Sequence, residues 1–233
     1  MLSIQSHESK GEPPAAMVSR QCWECGQSFD VPKTAYIPFS PKCEACLSRK
    51  AEDVQRRQIE KRDADWQRLC PATFRATDPD QLPNQQGYGG VMRWQWNPIG
   101  LFLAGETGTG KSRSLWLLIQ REHKAGRTIA ALRSDAAFIY TGKAMGSSAD
   151  TPKWIHHLSS VSILLLDDVF KCRMSDGFEA ALFAVVNSRC EDGLPILVTC
   201  NDDALSLAGR MSDDRGEPMI RRLREFTTVI PFS

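Results

Sequence analysis

From residue 99 onward, short apolar runs alternate with segments in which apolar and polar positions follow helical spacing. Each run is five or six residues long and ends at polar or turn-forming residues, which is typical of buried strands. The runs cover residues 99–104, 128–132, 161–166, 194–199 and 227–231. Repeated alternation of strands and helices predicts an α/β fold, a three-layer sandwich with helices on both faces of a parallel sheet.

The chain before this alternation changes composition several times. Residues 1–19 are polar with Gly and Pro, which predicts a disordered tail. Residues 20–46 contain two cysteine pairs and predict a small metal-binding module. Residues 47–69 are highly charged and lack Gly and Pro, which predicts an exposed linker helix; a solvated spacer is favoured over a DNA-binding helix. Residues 70–98 lead irregularly, with four prolines, into a core spanning 70–233.

Length and charge narrow the class of protein. A chain of 233 residues can form one good core and a small accessory unit. The net charge of +1 gives no overall field that attracts nucleic acid, so any DNA contact needs a local patch. No apolar run reaches the roughly 18 residues of a membrane span, and residues 1–16 lack the apolar stretch of a signal peptide. We therefore expect a cytoplasmic protein without a membrane partner.

Eight residues between the first predicted strand and the next helical segment match the phosphate-binding pattern Gly-x4-Gly-Lys-Ser. Glycines let the backbone N–H groups point at an anion, and the following helix presents its positive end to it. Lys111 would supply a cation to the phosphates and Ser112 a hydroxyl ligand for Mg²⁺. A glycine-rich turn without function is the alternative, disfavoured by the strand and helix that flank the motif. The predicted nucleotide-binding residues are Gly105, Glu106, Thr107, Gly108, Thr109, Gly110, Lys111 and Ser112.

Two aspartates, Asp167 and Asp168, follow the most apolar run. Ligands of open α/β sheets bind at the carboxyl ends of the strands, so a buried strand beside the phosphate loop would carry both acids to the nucleotide. Asp167 would hold Mg²⁺ through water, and Asp168 would orient or deprotonate the attacking water. Many such ATPases have Glu at the second position, and the shorter Asp predicts a closer water or slow turnover. An acidic strand-to-loop turn is the alternative.

Two weaker candidates come later in the chain. Asn201 follows the run at 194–199 and could sense the γ-phosphate or the water, although a helix N-cap or turn explains it as well. The basic segment at 219–225 contains Arg221, Arg222 and Arg224. An arginine that reaches a neighbour's γ-phosphate accelerates hydrolysis about 10³–10⁵-fold, but a solvated helix face explains this composition equally well.

The two Cys-x2-Cys pairs, Cys22 with Cys25 and Cys43 with Cys46, are separated by 17 residues. Four thiolates at this spacing suit tetrahedral Zn²⁺, and a site closed by four protein ligands is structural rather than catalytic. A redox dithiol or disulfide pair is the alternative. The other cysteines lack pair spacing and are interpreted as packed thiols. The aromatic and apolar residues expected to cover the metal or form a partner-binding face are Phe29, Tyr36, Ile37 and Phe39.

The order of these motifs resembles the AAA+ ATPases that load bacterial replicative helicases, and the related helper ATPases of insertion-sequence transposition. The resemblance covers residues 70–233 and rests on the phosphate loop, the aspartate strand, the strand before Asn201 and the segment 220–223. In this family an arginine directly before an apolar residue of the final helix acts as the finger, which implies Arg222, with Arg221 and Arg224 as competitors. The resemblance also implies a core without a C-terminal lid domain. The cysteine module is similar to the helicase-binding end of some loaders.

The resemblance implies ATP as the nucleotide, together with Mg²⁺, and a homo-oligomer that forms on ATP or DNA binding. The first hypothesis is a slow, partner-stimulated ATPase that loads a helicase. Such a protein binds a replicative helicase and single-stranded DNA and uses ATP binding and hydrolysis as a switch. Two alternatives remain, an ATP-dependent DNA-binding helper of a transposase and a zinc adaptor that binds ATP without hydrolysing it.

Basic side chains near the predicted first helix and in later loops could contact DNA phosphates, which would make binding salt-dependent. In such positions a merely solvated side chain is the more common outcome. These residues are Arg113, Arg121, Lys124, Arg127, Lys143, Lys153, Lys171 and Arg173.

Overall fold

The computed structural model describes residues 16–35, 40–134, 151–171, 174–201, 211–212 and 214–233. The chain forms two compact units, Met1–Lys61 and Arg62–Ser233. Some residues singled out in the sequence lie outside the described ranges; these are residues 1–15 of the predicted tail and Tyr36, Ile37, Phe39, Lys143, Cys172 and Arg173.

The first unit begins with an antiparallel hairpin of strands β1 (Met17–Gln21) and β2 (Ser28–Pro32). Helix α1 (Glu44–Leu69) follows and continues across the boundary into the second unit. It starts three residues before the predicted linker helix and is exposed along most of its length. Strand β1 starts at Met17, inside the segment assigned to the tail.

The elements of the second unit in chain order are α2 (Ala72–Arg75), α3 (Gln85–Met92), β3 (Gly100–Gly105), α4 (Lys111–Lys124), β4 (Ile129–Arg133), α5 (Thr151–Ser160), β5 (Ile163–Asp167), α6 (Asp176–Glu191), β6 (Ile196–Cys200), α7 (Gly216–Glu225) and β7 (Thr227–Phe232). The five strands form a parallel sheet in the order β4-β5-β6-β3-β7. All five predicted strands are present, and each ends one residue beyond its predicted end. A three-residue helical turn, Pro79–Gln81, precedes α3, and another, Val169–Lys171, follows β5.

The strand order separates the two motifs of the predicted nucleotide site by one strand. The phosphate loop follows β3 and the aspartates end β5, but β6 pairs with both strands and lies between them. In this register Thr199 of β6 is opposite Leu103 on one side and Asp167 on the other. A buried hydroxyl therefore lies beside the aspartates, at a position that a direct pairing of β3 and β5 would not provide.

Apolar side chains cover both faces of the sheet, because successive residues of a strand point to opposite sides. Leu164 and Leu166 belong to the cluster that includes residues of α5, α6 and α7, whereas Leu165 belongs to the cluster that includes residues of α3 and α4. In the second cluster, the rings of Trp116 in α4 and Trp66 in α1 meet edge to face, with their centroids 6.1 Å apart. The end of α1 therefore packs with the core, although its earlier turns are exposed.

One fully buried cation connects the segments that precede two strands of the sheet. Arg189 of α6 has no exposed surface, and its guanidinium donates hydrogen bonds of 2.8 Å to the carbonyl oxygens of Leu158, Val161 and Pro195. These carbonyls lie at the end of α5 and just before β5 and β6. Burial lowers the pKa of Arg189 to about 10, so the side chain remains charged at neutral pH.

We expect Arg189→Met to destabilise the core strongly, because the variant leaves these buried carbonyl oxygens without their donor. Each buried polar group left without its partner costs about 1–3 kcal/mol. Urea unfolding followed by circular dichroism measures the loss. Arg68→Met, on an exposed turn of α1, is the matched control and should stay within about 0.5 kcal/mol of the wild type. Equal unfolding midpoints for the two variants would contradict this role of Arg189.

Candidate nucleotide and metal sites

The loop between β3 and α4 has a backbone that depends on glycine. Gly105 has a φ of 149°, and a Cβ at this position would lie 1.8 Å from the carbonyl oxygen of Phe232 in β7. Gly110 has a φ of 94° and directly precedes the first residue of α4. Residues with a Cβ rarely adopt such a φ. The loop therefore lies tightly against β7 and turns sharply into the helix, as a phosphate-binding loop requires.

Lys111 lies inside this loop. Its side chain is only 5% exposed, and Nζ donates hydrogen bonds of 2.7 Å to the carbonyl oxygens of Gly105 and Glu106. Burial lowers the pKa of Lys111, and the negative charges of Asp168 and Asp167 partly oppose this effect. The predicted phosphate-binding cation and the two predicted acids are thus close enough to interact electrostatically.

The two predicted magnesium ligands are in direct contact. Ser112 Oγ donates a 2.6 Å hydrogen bond to Oδ1 of Asp167, a carboxylate that is only 6% exposed. Mg²⁺ prefers hard oxygen ligands and often binds through one or two protein groups together with substrate phosphates. A hydroxyl and a carboxylate side by side at the mouth of a phosphate-binding loop fit such an ion.

Thr199 also contacts this pair and was not anticipated from the sequence. Its hydroxyl donates to Asp167 Oδ1 at 2.7 Å and accepts from the backbone N–H of Asp168 at 3.0 Å. The side chain is fully buried. A polar residue within the apolar run 194–199 was a usable signal, but its partners follow only from the strand order.

Asp168 combines a strained backbone with an unpaired side-chain oxygen. Its φ of 53° lies in the left-handed region, which Asp tolerates better than most residues. Its Oδ1 is buried and has no hydrogen-bond partner among the described residues. Burial and the neighbouring charge of Asp167 raise the pKa of Asp168, whereas Lys111 lowers it. The carboxylate therefore keeps a free acceptor at the site.

Asn201 and the arginines of α7 lie in different environments. Asn201 is half-buried just after β6, and a hydrogen bond from its side chain lowers the pKa of Asp168. Arg222 is half-buried on α7 and lies near Cys190 of α6, where burial raises the pKa of the thiol and the charge of Arg222 partly opposes this effect. Arg221 and Arg224 are exposed. Asn201 thus joins the aspartate pair, whereas the structure shows no hydrogen bond or ion pair between Arg222 and the loop in the described part of the chain.

Three arginines proposed as DNA contacts bind other parts of the core. Arg113 donates to the carbonyl oxygen of Thr73 at 3.2 Å. Arg121 and Arg127 donate to the two carboxylate oxygens of Glu122, at 2.8 and 2.9 Å, and Glu122 is only 6% exposed. These side chains hold the lead-in segment and the end of α4 in place, which is a structural use of their charge.

The four cysteines of the first unit come together at the hairpin and the start of α1. The turn after β1 is closed by the 2.9 Å hydrogen bond from the backbone N–H of Gly26 to the carbonyl oxygen of Cys22, and Gly26 has a φ of 74°. Cys43 directly precedes α1 and Cys46 lies in its first turn. Phe29 of β2 packs against the buried cysteines, as expected from the sequence.

Their sulfur atoms have the spacing of a metal site. All four Sγ atoms lie within 4.8 Å of one another, and those of Cys25 and Cys43 are 3.7 Å apart. Tetrahedral zinc with Zn–S bonds of about 2.3 Å places its sulfurs roughly 3.8 Å apart, whereas a disulfide needs about 2.05 Å. A hydrogen bond from the backbone of Cys43 lowers the pKa of Cys22 to about 6, and burial raises that of Cys46 to about 12. The set therefore fits a metal that helps to deprotonate its remaining ligands.

No helix in the described ranges has the length and apolar character needed to cross a bilayer.

Comparison with known proteins gives matches among solved structures alone. No protein-family model and no curated protein matches the sequence. The structure of DnaI is similar over 71% of this chain and 92% of that chain, with 17% identity and a TM-score of 0.57. The DnaC helicase loader is similar over 72% of this chain and 99% of that chain, with 17% identity and a TM-score of 0.52.

The replication initiator DnaA, bound to AMPPCP and single-stranded DNA, matches with 18% identity and a TM-score of 0.54. The match covers 71% of this chain and 51% of the DnaA chain. Identities this low are evidence about the fold alone. Together with the five-stranded parallel sheet and its loop, they show that this chain has the fold of the AAA+ P-loop ATPases.

Proposed function

We propose that this protein is an ATP-dependent accessory factor of DNA replication, a helicase loader that uses ATP binding and hydrolysis as a switch. The observation that carries the proposal is the 2.6 Å contact between Ser112 and Asp167. It joins the loop that would hold the phosphates to the acid that would hold the metal. A nucleotide–magnesium complex needs both groups within reach of one ion.

The chemistry follows from the residues around that contact. The loop residues from Gly105 to Ser112 would bind the phosphates, with the N-terminus of α4 and the Lys111 cation balancing their charge. Ser112 and Asp167 would hold Mg²⁺, which bridges and neutralises phosphate oxygens when bound. Asp168, with its free Oδ1, would orient or deprotonate the attacking water, and Asn201 beside it would position the same group.

The likeness to DnaI and to the DnaC helicase loader supports loading over other uses of this fold, because it extends over 92% and 99% of those chains. In this proposal the first unit, organised by zinc, binds a replicative helicase. The core binds single-stranded DNA, as the DnaA structure does. Protomers assemble on ATP or DNA, and Arg222 of one protomer completes the nucleotide site of the next.

We expect Lys111→Ala to weaken binding of Mg·ATP at least about tenfold, because the phosphates lose their buried cation. Titration with a fluorescent ATP analogue measures the affinity. Lys124→Ala, at the exposed opposite end of α4, is the control and should bind as the wild type does. Asp168→Asn should bind ATP but lose single-turnover hydrolysis. A wild type that binds but never hydrolyses ATP supports the zinc-adaptor alternative, and one that binds no adenine nucleotide overturns the proposal.

We expect the full chain to form a stable complex with the replicative helicase of its host, with a mass that depends on ATP. Light scattering coupled to gel filtration measures this mass. Trp23 is 71% exposed beside the first cysteine pair, so Trp23→Ala should weaken the complex. Trp96→Ala, at a 40% exposed tryptophan of the other unit, should not. Filaments on double-stranded DNA without helicase binding would favour the transposition-helper alternative instead.

We expect about one zinc ion per purified chain, lost in Cys25→Ser and retained in Cys190→Ala, because four thiolates close one tetrahedral site. Elemental analysis by mass spectrometry measures the content. A module this small cannot bury enough surface to hold itself together, so chelation should make the first unit sensitive to protease and leave the core intact. A metal-free chain with disulfides among these cysteines would support the redox alternative.

A further inference from the structure

We propose that Thr199 is a positioning residue of the magnesium centre. Its hydroxyl fixes the carboxylate of Asp167 toward the ion and holds the backbone of Asp168 in its left-handed conformation. This inference rests on the proposed nucleotide function. It adds to the two sequence motifs a residue from β6, the strand that separates them.

The direction of each of the two hydrogen bonds of Thr199 is determined by its partner. A hydroxyl has a single hydrogen to donate. Because the backbone N–H of Asp168 can only donate, Thr199 Oγ1 must accept there, at 3.0 Å, and give its own hydrogen to Asp167 Oδ1, at 2.7 Å. No surface of Thr199 is exposed, so solvent does not compete for either bond.

The bond to Asp167 acts on the predicted metal ligand. Ser112 Oγ donates to the same carboxylate oxygen at 2.6 Å, so two hydroxyls hold Oδ1 of Asp167. A magnesium ion would take a lone pair of Ser112 Oγ, which makes Ser112 a ligand itself. Thr199 is buried on the neighbouring strand and would act on Asp167 without being a ligand. Groups of this kind, which hydrogen-bond a metal ligand, set the orientation of the ligand.

The bond to Asp168 acts on the other acid. A φ of 53° is unfavourable for a residue with a Cβ and persists only where the surroundings hold it. The bond from the N–H of Asp168 to Thr199 is such a restraint. It fixes the backbone from which the buried and unpartnered Oδ1 of Asp168 projects.

The apolar surroundings of Thr199 would accommodate a residue of the same shape without a hydroxyl. Ile196, Leu197 and Val198 precede it in β6 and are almost fully buried. Valine has nearly the same shape as threonine and suits a buried strand. A buried hydroxyl is costly unless hydrogen bonds compensate, and here both of its bonds go to the two aspartates.

The test compares Thr199→Val with Thr199→Ser, which keeps the hydroxyl. We expect Thr199→Val to raise the Mg²⁺ concentration for half-maximal binding of a fluorescent ATP analogue, and to slow single-turnover hydrolysis, by about 10–100-fold. Nucleotide affinity in EDTA should stay within about twofold of the wild type, and Thr199→Ser should recover most of both losses. Should Thr199→Val not fold, Thr199→Ala is measured in the same way.

Thr227→Val controls for simple loss of a buried hydroxyl in this sheet. Thr227 is 7% exposed, and its Oγ1 donates to the carbonyl oxygen of Leu223, away from the site. It should lower stability without changing the Mg²⁺ dependence. If the wild type binds Mg·ATP but Thr199→Val has the same Mg²⁺ dependence as Thr227→Val, this inference fails alone. If the wild type binds no Mg·ATP, the proposed function fails first.

Discussion

The site depends on one short hydrogen bond between Ser112 and Asp167, residues 55 positions apart in the chain. The bond forms because β3 and β5 run in the same direction and end at the same side of the sheet. Asp167 is the last residue of β5, and Ser112 lies in the first turn of α4, which follows the loop after β3. Parallel pairing of both strands with β6 supplies this alignment. A slip of one residue in the pairing of β5 with β6 would turn the side chain of Asp167 to the opposite face of the sheet. The register of the strands therefore determines which side chains meet at the site.

The phosphate loop depends equally on the last strand of the sheet. Gly105 pairs with Phe232, and its Cα is so close to that residue that no side chain fits between them. The ring of Phe232 in turn leaves no room for a Cβ at Gly87 in α3, where one would approach it to 2.9 Å. Lead-in helix, loop and final strand thus pack as one body.

Local patterns predicted the five strands of the sheet and the motifs, because their signals lie within a few residues. The lead-in segment 70–98 was predicted to be irregular, and this was wrong, because it contains α2 and α3. Apolar runs fixed five strands to within two residues at each end, and the glycine pattern and cysteine pairs marked both candidate sites. Side chains whose hydrogen-bond partners lie far away in the sequence could not be predicted in this way. Arginine is usually exposed, but Arg189 is buried and donates hydrogen bonds to the carbonyl oxygens that precede two strands. The ion pairs of Arg121 and Arg127 with the buried Glu122 were likewise not visible in the sequence.

The buried charged groups at the two ends of the strands differ in how many of their polar atoms have hydrogen-bond partners. At the amino-terminal ends, Arg189 finds carbonyl oxygens for its guanidinium nitrogens and only its Nε lacks a partner among the described residues. At the carboxyl-terminal ends of the strands, two acids and a buried lysine lie together. One acid is strained, and one of its oxygens has no partner in the part of the chain that the structure describes. Strain and unpaired polar groups cost stability and persist where function requires them. Under the proposed function, a cationic metal with its nucleotide neutralises the acids and gives the free oxygen a partner. Nucleotide binding would then stabilise the carboxyl-terminal ends of the strands, which are the less stable ends without a ligand. A nucleotide whose binding changes local stability in this way can act as a switch.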